Sequence, residues 1–178
     1  MHRPLDTLPD AAPTPPPAAR DDAPAQDGLS NDYLNLYSEV LMLIELAPLD
    51  PEVVEDLGAW RAIPYPDYFD ASHLRRAPQA RAAWDALDPE RRAAFEALVR
   101  AMDRLATTAI RALRPPCAAD DAALVAEVTA PALRRLIERA GAFLNSNGRV
   151  LPDDSHVEEA QGVIDRLIAR GVVEHSAA

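Results

Sequence analysis

The chain contains no lysine; all 18 of its basic residues are arginine. That absence rules out a G-x-x-x-x-G-K-[ST] phosphate loop, a lysine Schiff base and a lysine general base. The single cysteine, Cys117, leaves no intrachain disulfide and no cysteine-rich metal site. Six scattered glycines cannot assemble a phosphate cradle or a dinucleotide fingerprint. No apolar run nears the ~18 residues a membrane span needs, and the N-terminus, broken by Pro4 and Pro9, lacks a signal-peptide core. Cytoplasm is the expected compartment. A net charge of −11 argues against binding to a bulk polyanion. Beside 35 alanines, the use of arginine for lysine reads first as codon bias, so function is sought only where arginines cluster.

Chemistry-bearing motifs are equally sparse. There is no G-x-S-x-G, no H-E-x-x-H and no Glu-x-x-His of the kind that builds metal sites inside helical bundles. Serines sit mostly at predicted helix ends, where capping explains them. Of four histidines, His2 and His175 lie near the termini and His156 opens a helix, which leaves His73, close to Asp67 and Asp70, as the internal candidate for acid–base or ligand work. Asp153, Asp154, His156, Glu158 and Glu159 could crowd a cation, but complementing a helix N-terminus explains those acids without one. No cofactor and no metal are expected.

What the chain does have is helix punctuation. Ser30, Asp50-Pro51-Glu52, Asp88-Pro89-Glu90 and Pro131 each offer a capping acceptor or a proline pre-set for a first turn. Ser155-His156-Val157-Glu158 is a capping box. These signals predict helices over 31–47, from Pro51 to Gly58, from Pro78 to Leu87, from Pro89 to Arg114, over 119–129, from Pro131 to Asn145, and from Ser155 to Gly171. The helix from Pro89 spans about 39 Å at ~1.5 Å per residue, with Phe95, Leu98, Met102, Leu105 and Ala109 on one stripe. Pro64 and Pro66 argue against helix over 61–77. Val150-Leu151 could pair with Val172-Val173 as a short ribbon.

The fold class is all-α: an irregular bundle of about six helices behind a disordered Pro/Ala-rich N-terminal arm. The expected organisation is a disordered tail over 1–28, one all-α domain over 29–174 and a flexible C-terminal tail over 175–178. Thr14-Pro15-Pro16-Pro17 has the composition of a polyproline ligand. The terminal Ala177-Ala178 resembles a bacterial degron, though an alanine-rich chain ends so by chance.

Two features point to function. Five of nine aromatic residues lie between positions 60 and 84, beside Pro64 and Pro66, and such rings either plug a bundle or anchor a partner. Charge is segregated as well: residues 29–60 carry seven acids and no base, whereas 75–114 carry nine arginines and five acids. Internal pairing between those helices is one explanation, and a basic stripe for an acidic partner is the other.

The expected function is that of a small acidic, non-enzymatic cytoplasmic protein, an adaptor or regulator acting through an unidentified protein partner. The candidate partner-binding residues are Trp60, Arg61, Tyr65, Tyr68, Phe69, Arg100, Arg104 and Arg111. The alternative is a small enzyme or ligand-binding protein with a pocket under the 60–74 loop, where His73, Asp67, Tyr65 and Tyr68 supply the polar groups. A nucleic-acid binder using helix 89–114 ranks third. No nucleic acid and no membrane are expected as partners; a homo-oligomer through the 95–113 face is compatible with the pattern.

Overall fold

A computed structural model describes residues 28–152 and 155–171 of the chain. Residues 1–27 of the expected arm, Asp153, Asp154, the Val172-Val173 half of the proposed ribbon and the 175–178 tail lie outside the described residues. Within them the chain forms a 3-10 turn at Asn31–Leu34 and seven α-helices, with no strand. These are α1 (Asn35–Leu46), α2 (Val53–Ala59), α3 (Tyr65–Asp70), α4 (Ala77–Asp85), α5 (Pro89–Leu113), α6 (Ala119–Asn145) and α7 (Ser155–Ala169).

The starts follow the local chemistry. Ser30 Oγ accepts the amide of Asp32 at 3.2 Å, and Asp88 Oδ1 accepts that of Glu90 at 2.8 Å, each satisfying a first-turn donor. At the far end of α6, Asn147 (φ 51°) and Gly148 (φ 75°) take left-handed conformations, and the Gly148 amide returns to the Phe143 carbonyl at 2.8 Å. A Cβ at Gly148 would stand 2.8 Å from Leu87 Cδ2 and 3.2 Å from Phe143 Cζ, so only glycine fits that turn.

Two expectations need correction. Residues 119–129 and 131–145 are one helix, not two, running through Pro131. Proline removes an amide and crowds the carbonyl four residues back, at a cost of about 3 kcal/mol in a helix interior. Here Pro131 and Glu127 are both exposed, so water can serve the freed carbonyl. Val125, Leu133, Leu136 and Ala140 stay in line across the proline with no exposed surface, each large side chain contributing about 1.5–3 kcal/mol of burial. Their registry on α5 outweighs the break.

The second correction is α3, where no helix was expected. Pro66 is its second residue, a position whose amide would have no helical acceptor, so its missing N–H is harmless. Pro64, extended at ψ 148°, feeds the chain in, and the Tyr68 amide reaches the Pro64 carbonyl at 2.9 Å.

α5 packs along α6, α7 lies against both, and α1 crosses onto α6 and α5. α2 rests on α1 and α5, while α3 pairs with α4 and touches the 3-10 turn. A single hydrophobic cluster joins residues from all seven helices. No helix among the described residues is long and apolar enough to cross a membrane.

Candidate functional site

The 60–74 segment is fastened to the bundle by its aromatic side chains. Tyr65 and Phe69 are 2% and 3% exposed and face inward. The Tyr65 ring lies 4.8 Å from Trp84 and 5.7 Å from Phe95, and its Oη accepts the Ser30 amide at 2.8 Å. Tyr68 is half-buried, edge-on to Tyr33, and donates to the Asp32 carbonyl at 3.1 Å. Trp60, also half-buried, donates Nε1 to the Leu36 carbonyl at 3.0 Å. Arg61 is exposed but curls onto the carbonyls of Gly58 and Trp60. The aromatic side chains thus tie the segment to α1, α4 and α5, while Arg61 to Pro64, Asp67, Asp70, Ala71, His73 and Leu74 face outward.

Beside the segment a 290 Å³ cleft opens between Pro64, Tyr65 and Pro66 of the loop, Trp84 of α4, and Phe95, Glu96, Val99, Arg100 and Asp103 of α5. Of the four polar residues expected in a pocket there, only Tyr65 lines it. Asp67 is exposed, and His73, exposed, borders a separate hollow with Asp70 and Arg81. The acidic group that does reach the cleft is Asp103, which sequence reasoning passed over. Its signal was present: Val99, Asp103, Ala106 and Ile110 recur at helical spacing, so the carboxylate interrupts an otherwise apolar edge.

Asp103 belongs to a buried hydroxyl chain. Tyr37 Oη donates to Asp103 Oδ1 at 2.7 Å, Tyr33 Oη stands 3.2 Å from Tyr37 Oη, and Tyr33 donates to the Ile63 carbonyl at 2.8 Å. With Asp103 ionised, both tyrosine protons are committed and the 3.2 Å contact has none. With Asp103 protonated, one proton can sit on every link from Asp103 to Ile63. Burial raises the Asp103 pKa above its ordinary 3.8, and the Tyr37 hydrogen bond opposes that rise without cancelling it. As pH climbs past 3.8 the unfolded chain therefore releases this proton first, and stability falls until pH passes the folded value. Asp103→Asn should abolish that fall. Urea midpoints of the variant will gain on those of the parent between pH 4 and pH 7, and a constant gap would exclude a perturbed Asp103.

The arginines continue the same face. Arg100, Arg104 and Arg111 are exposed on α5, and Arg104 and Arg111 border a hollow of 370 Å³ with Asp103, Thr107 and Thr108, closed by Gln161 and Ile164 of α7. Arg100 reaches Glu96 at only 3.9 Å. Among the described residues, no ion pair joins the α5 arginines to the acids of 29–60; Glu45 of α1 pairs instead with Arg134 of α6. No group of three or more potential metal ligands occurs among the described residues. Comparison with protein-family models, with curated proteins and with solved structures finds no match, so the geometry alone carries the functional reading.

Proposed function

We propose that the protein is a non-enzymatic adaptor or regulator that grips an acidic segment of a protein partner along α5, with an apolar residue of that segment as anchor. The observation behind this reading is continuity: the apolar cleft and the arginine-bearing hollow share Asp103 on one face of one helix. An apolar side chain seated against Pro64, Val99 and Trp84 would supply most of the affinity. Exposed guanidinium–carboxylate pairs at Arg100, Arg104 and Arg111 would add up to about 1 kcal/mol each and set direction. Asp103, of opposite sign, would repel an acid placed one turn out of register.

The test is a displayed library of Asp/Glu-rich peptides carrying one apolar residue, with a basic library of the same design as control. Enrichment should favour the acidic library, and R100Q/R104Q/R111Q should weaken the selected binder about tenfold or more, roughly 1.4 kcal/mol or above, while the melting temperature stays put. Equal enrichment of both libraries, or binding indifferent to the triple variant, would reject the reading. The competing small-ligand reading rests on the perturbed carboxyl of Asp103 at the cleft wall. It gains if small amines raise the melting temperature and Asp103→Asn removes the rise. Salt-dependent binding of labelled DNA through the same three arginines would instead favour a nucleic-acid role.

A further inference from the structure

A second surface lies where the C-terminal end of α5 turns into α6. A groove of 670 Å³ runs between the α1–α2 turn (Ala47, Pro48, Pro51, Val54) and the α5–α6 turn (Leu113 and Pro115 to Ala119), and continues to Asp121 and Ala122 of α6. Its lining is alanine, proline, valine and leucine, with Cys117 and a single carboxylate, Asp121. Beside it the α1 end carries Leu46 at 39% exposure and Leu49, between the lining residues Pro48 and Pro51, at 83%. Met42, at 52%, continues the row one turn back. Leu49 in particular, next to an apolar trough, gains little from the fold that displays it.

The charge around the groove is mostly negative. Asp50 and Glu52 flank Pro51, Glu55 follows Val54, and Asp120 precedes Asp121; all five are exposed, and none has an ion pair among the described residues. Arg114, beside Leu113, is the base adjoining the lining. Asp120 and Asp121 also complement the α6 N-terminus, and Asp50, Glu52 and Glu55 that of α2, where Asp50 Oδ1 accepts the Glu52 amide at 3.0 Å, but neither helix end explains the apolar trough beside them.

We infer that this groove docks a basic amphipathic helix of a second partner protein, its apolar face on Leu46, Leu49 and Val54 and its cations over Asp50, Glu52, Glu55 and Asp121. Such a helix presents apolar residues at i, i+3, i+4 and i+7, which an apolar trough with a charged rim receives. The chain's own residues 1–27 are a poor occupant: they hold two arginines against five aspartates. A second copy brings a further −11 of charge to a surface that is already acidic.

Cys117, the chain's one cysteine, lines the groove and is half-buried, so its alkylation reports occupancy at this place alone. Burial raises its pKa, so rates are compared at one pH where thiolate is present. The probes are a Leu/Arg amphipathic helical peptide and a Leu/Glu peptide of identical pattern. The Leu/Arg peptide should slow iodoacetamide labelling about tenfold at saturation, with an affinity that falls as salt rises, and the Leu/Glu peptide should leave it unchanged. Either L46A/L49A or D50N/E52Q/E55Q should weaken protection about fivefold or more. All five side chains are exposed, and unchanged helical circular dichroism confirms that the fold persists. Equal protection by both peptides, no protection, or protection indifferent to either variant would overturn the proposal. So would labelling already blocked without peptide, which means a second copy if the block grows with protein concentration and residues 1–27 if it does not. R100Q/R104Q/R111Q should leave Cys117 protection intact, which separates this surface from the face proposed above.

Discussion

Phe95→Ala should lower the free energy of unfolding by about 3–5 kcal/mol, a large part of the 5–15 kcal/mol that holds an ordinary domain together. Phe95 has no exposed surface, and four rings converge on it from four parts of the chain. Phe143 of α6 stacks on it at 4.8 Å, Trp84 of α4 meets it edge-on at 5.6 Å and Tyr65 of α3 at 5.7 Å, and Tyr33 of the 3-10 turn lies at 6.3 Å. Aromatic pairs add about 0.5–1.5 kcal/mol each beyond the area they bury. The loss should therefore fall in the upper half of the range for buried phenylalanine. The polar tips around it, Tyr65 Oη on Ser30 and Tyr33 Oη on the Ile63 carbonyl, fix the neighbouring rings and limit collapse into the void. Leu49→Ala, at an 83% exposed site, should move the same measurement by no more than about 0.5 kcal/mol. Urea unfolding followed by circular dichroism compares the two. A Phe95→Ala loss below about 1.5 kcal/mol would mean that the aromatic cluster is not what fastens α3 and α4 to the bundle.

That cluster also marks how far the sequence can be read. Helix starts at Ser30 and Asp88 were legible because a cap acts over two or three residues, and the long stripe of α5 because burial repeats at the helical period. Pro131 was misread because the penalty for an interior proline is local, while the alignment of Val125 with Leu133 and Leu136 against α5 is not. The Pro64–Pro66 pair was misread for the opposite reason: the restriction it places on Tyr65 is real, but a first helical turn tolerates it. The arginines of α5 could be placed on an outer face from spacing alone. The cleft beside them could not, since it exists only where Pro64, Trp84 and Val99, distant in sequence, meet. Asp103 lay within reach as a carboxylate on an apolar edge, but its partner Tyr37 is 66 residues away, and no local pattern connects them.

The hydroxyl chain gives the largest pH effect expected of this protein. Tyr33, Tyr37 and Tyr65 are 0%, 0% and 2% exposed, and burial raises all three phenol pKa values above the ordinary 10.0. Tyr65 is pushed up to about 12, with the hydrogen bond at Ser30 acting against burial, and Tyr33 and Tyr37, facing Asp103 and each other, rise further. Above pH 10 the unfolded chain loses protons that the fold retains, so the unfolded state binds fewer and stability falls with rising pH. Each group contributes at most about 1.4 kcal/mol per pH unit, and with the slope only half developed at pH 10 and Tyr65 itself titrating at about 12, the three together give roughly 6 kcal/mol between pH 10 and pH 12. That loss rivals a whole domain's stability, and unfolding should be cooperative inside this window. Tyrosinate absorbance and loss of helical circular dichroism will rise together, apart from a smaller early step from half-buried Tyr68, whose pKa is raised by less burial. Tyr65→Phe keeps the ring in place and should reduce the slope above pH 10 by about a third. If more than the one early tyrosinate of Tyr68 forms near pH 10 while the helices remain intact, the buried hydroxyls are open to solvent, and neither the buried chain nor the rigid wall it gives the cleft at Asp103 exists.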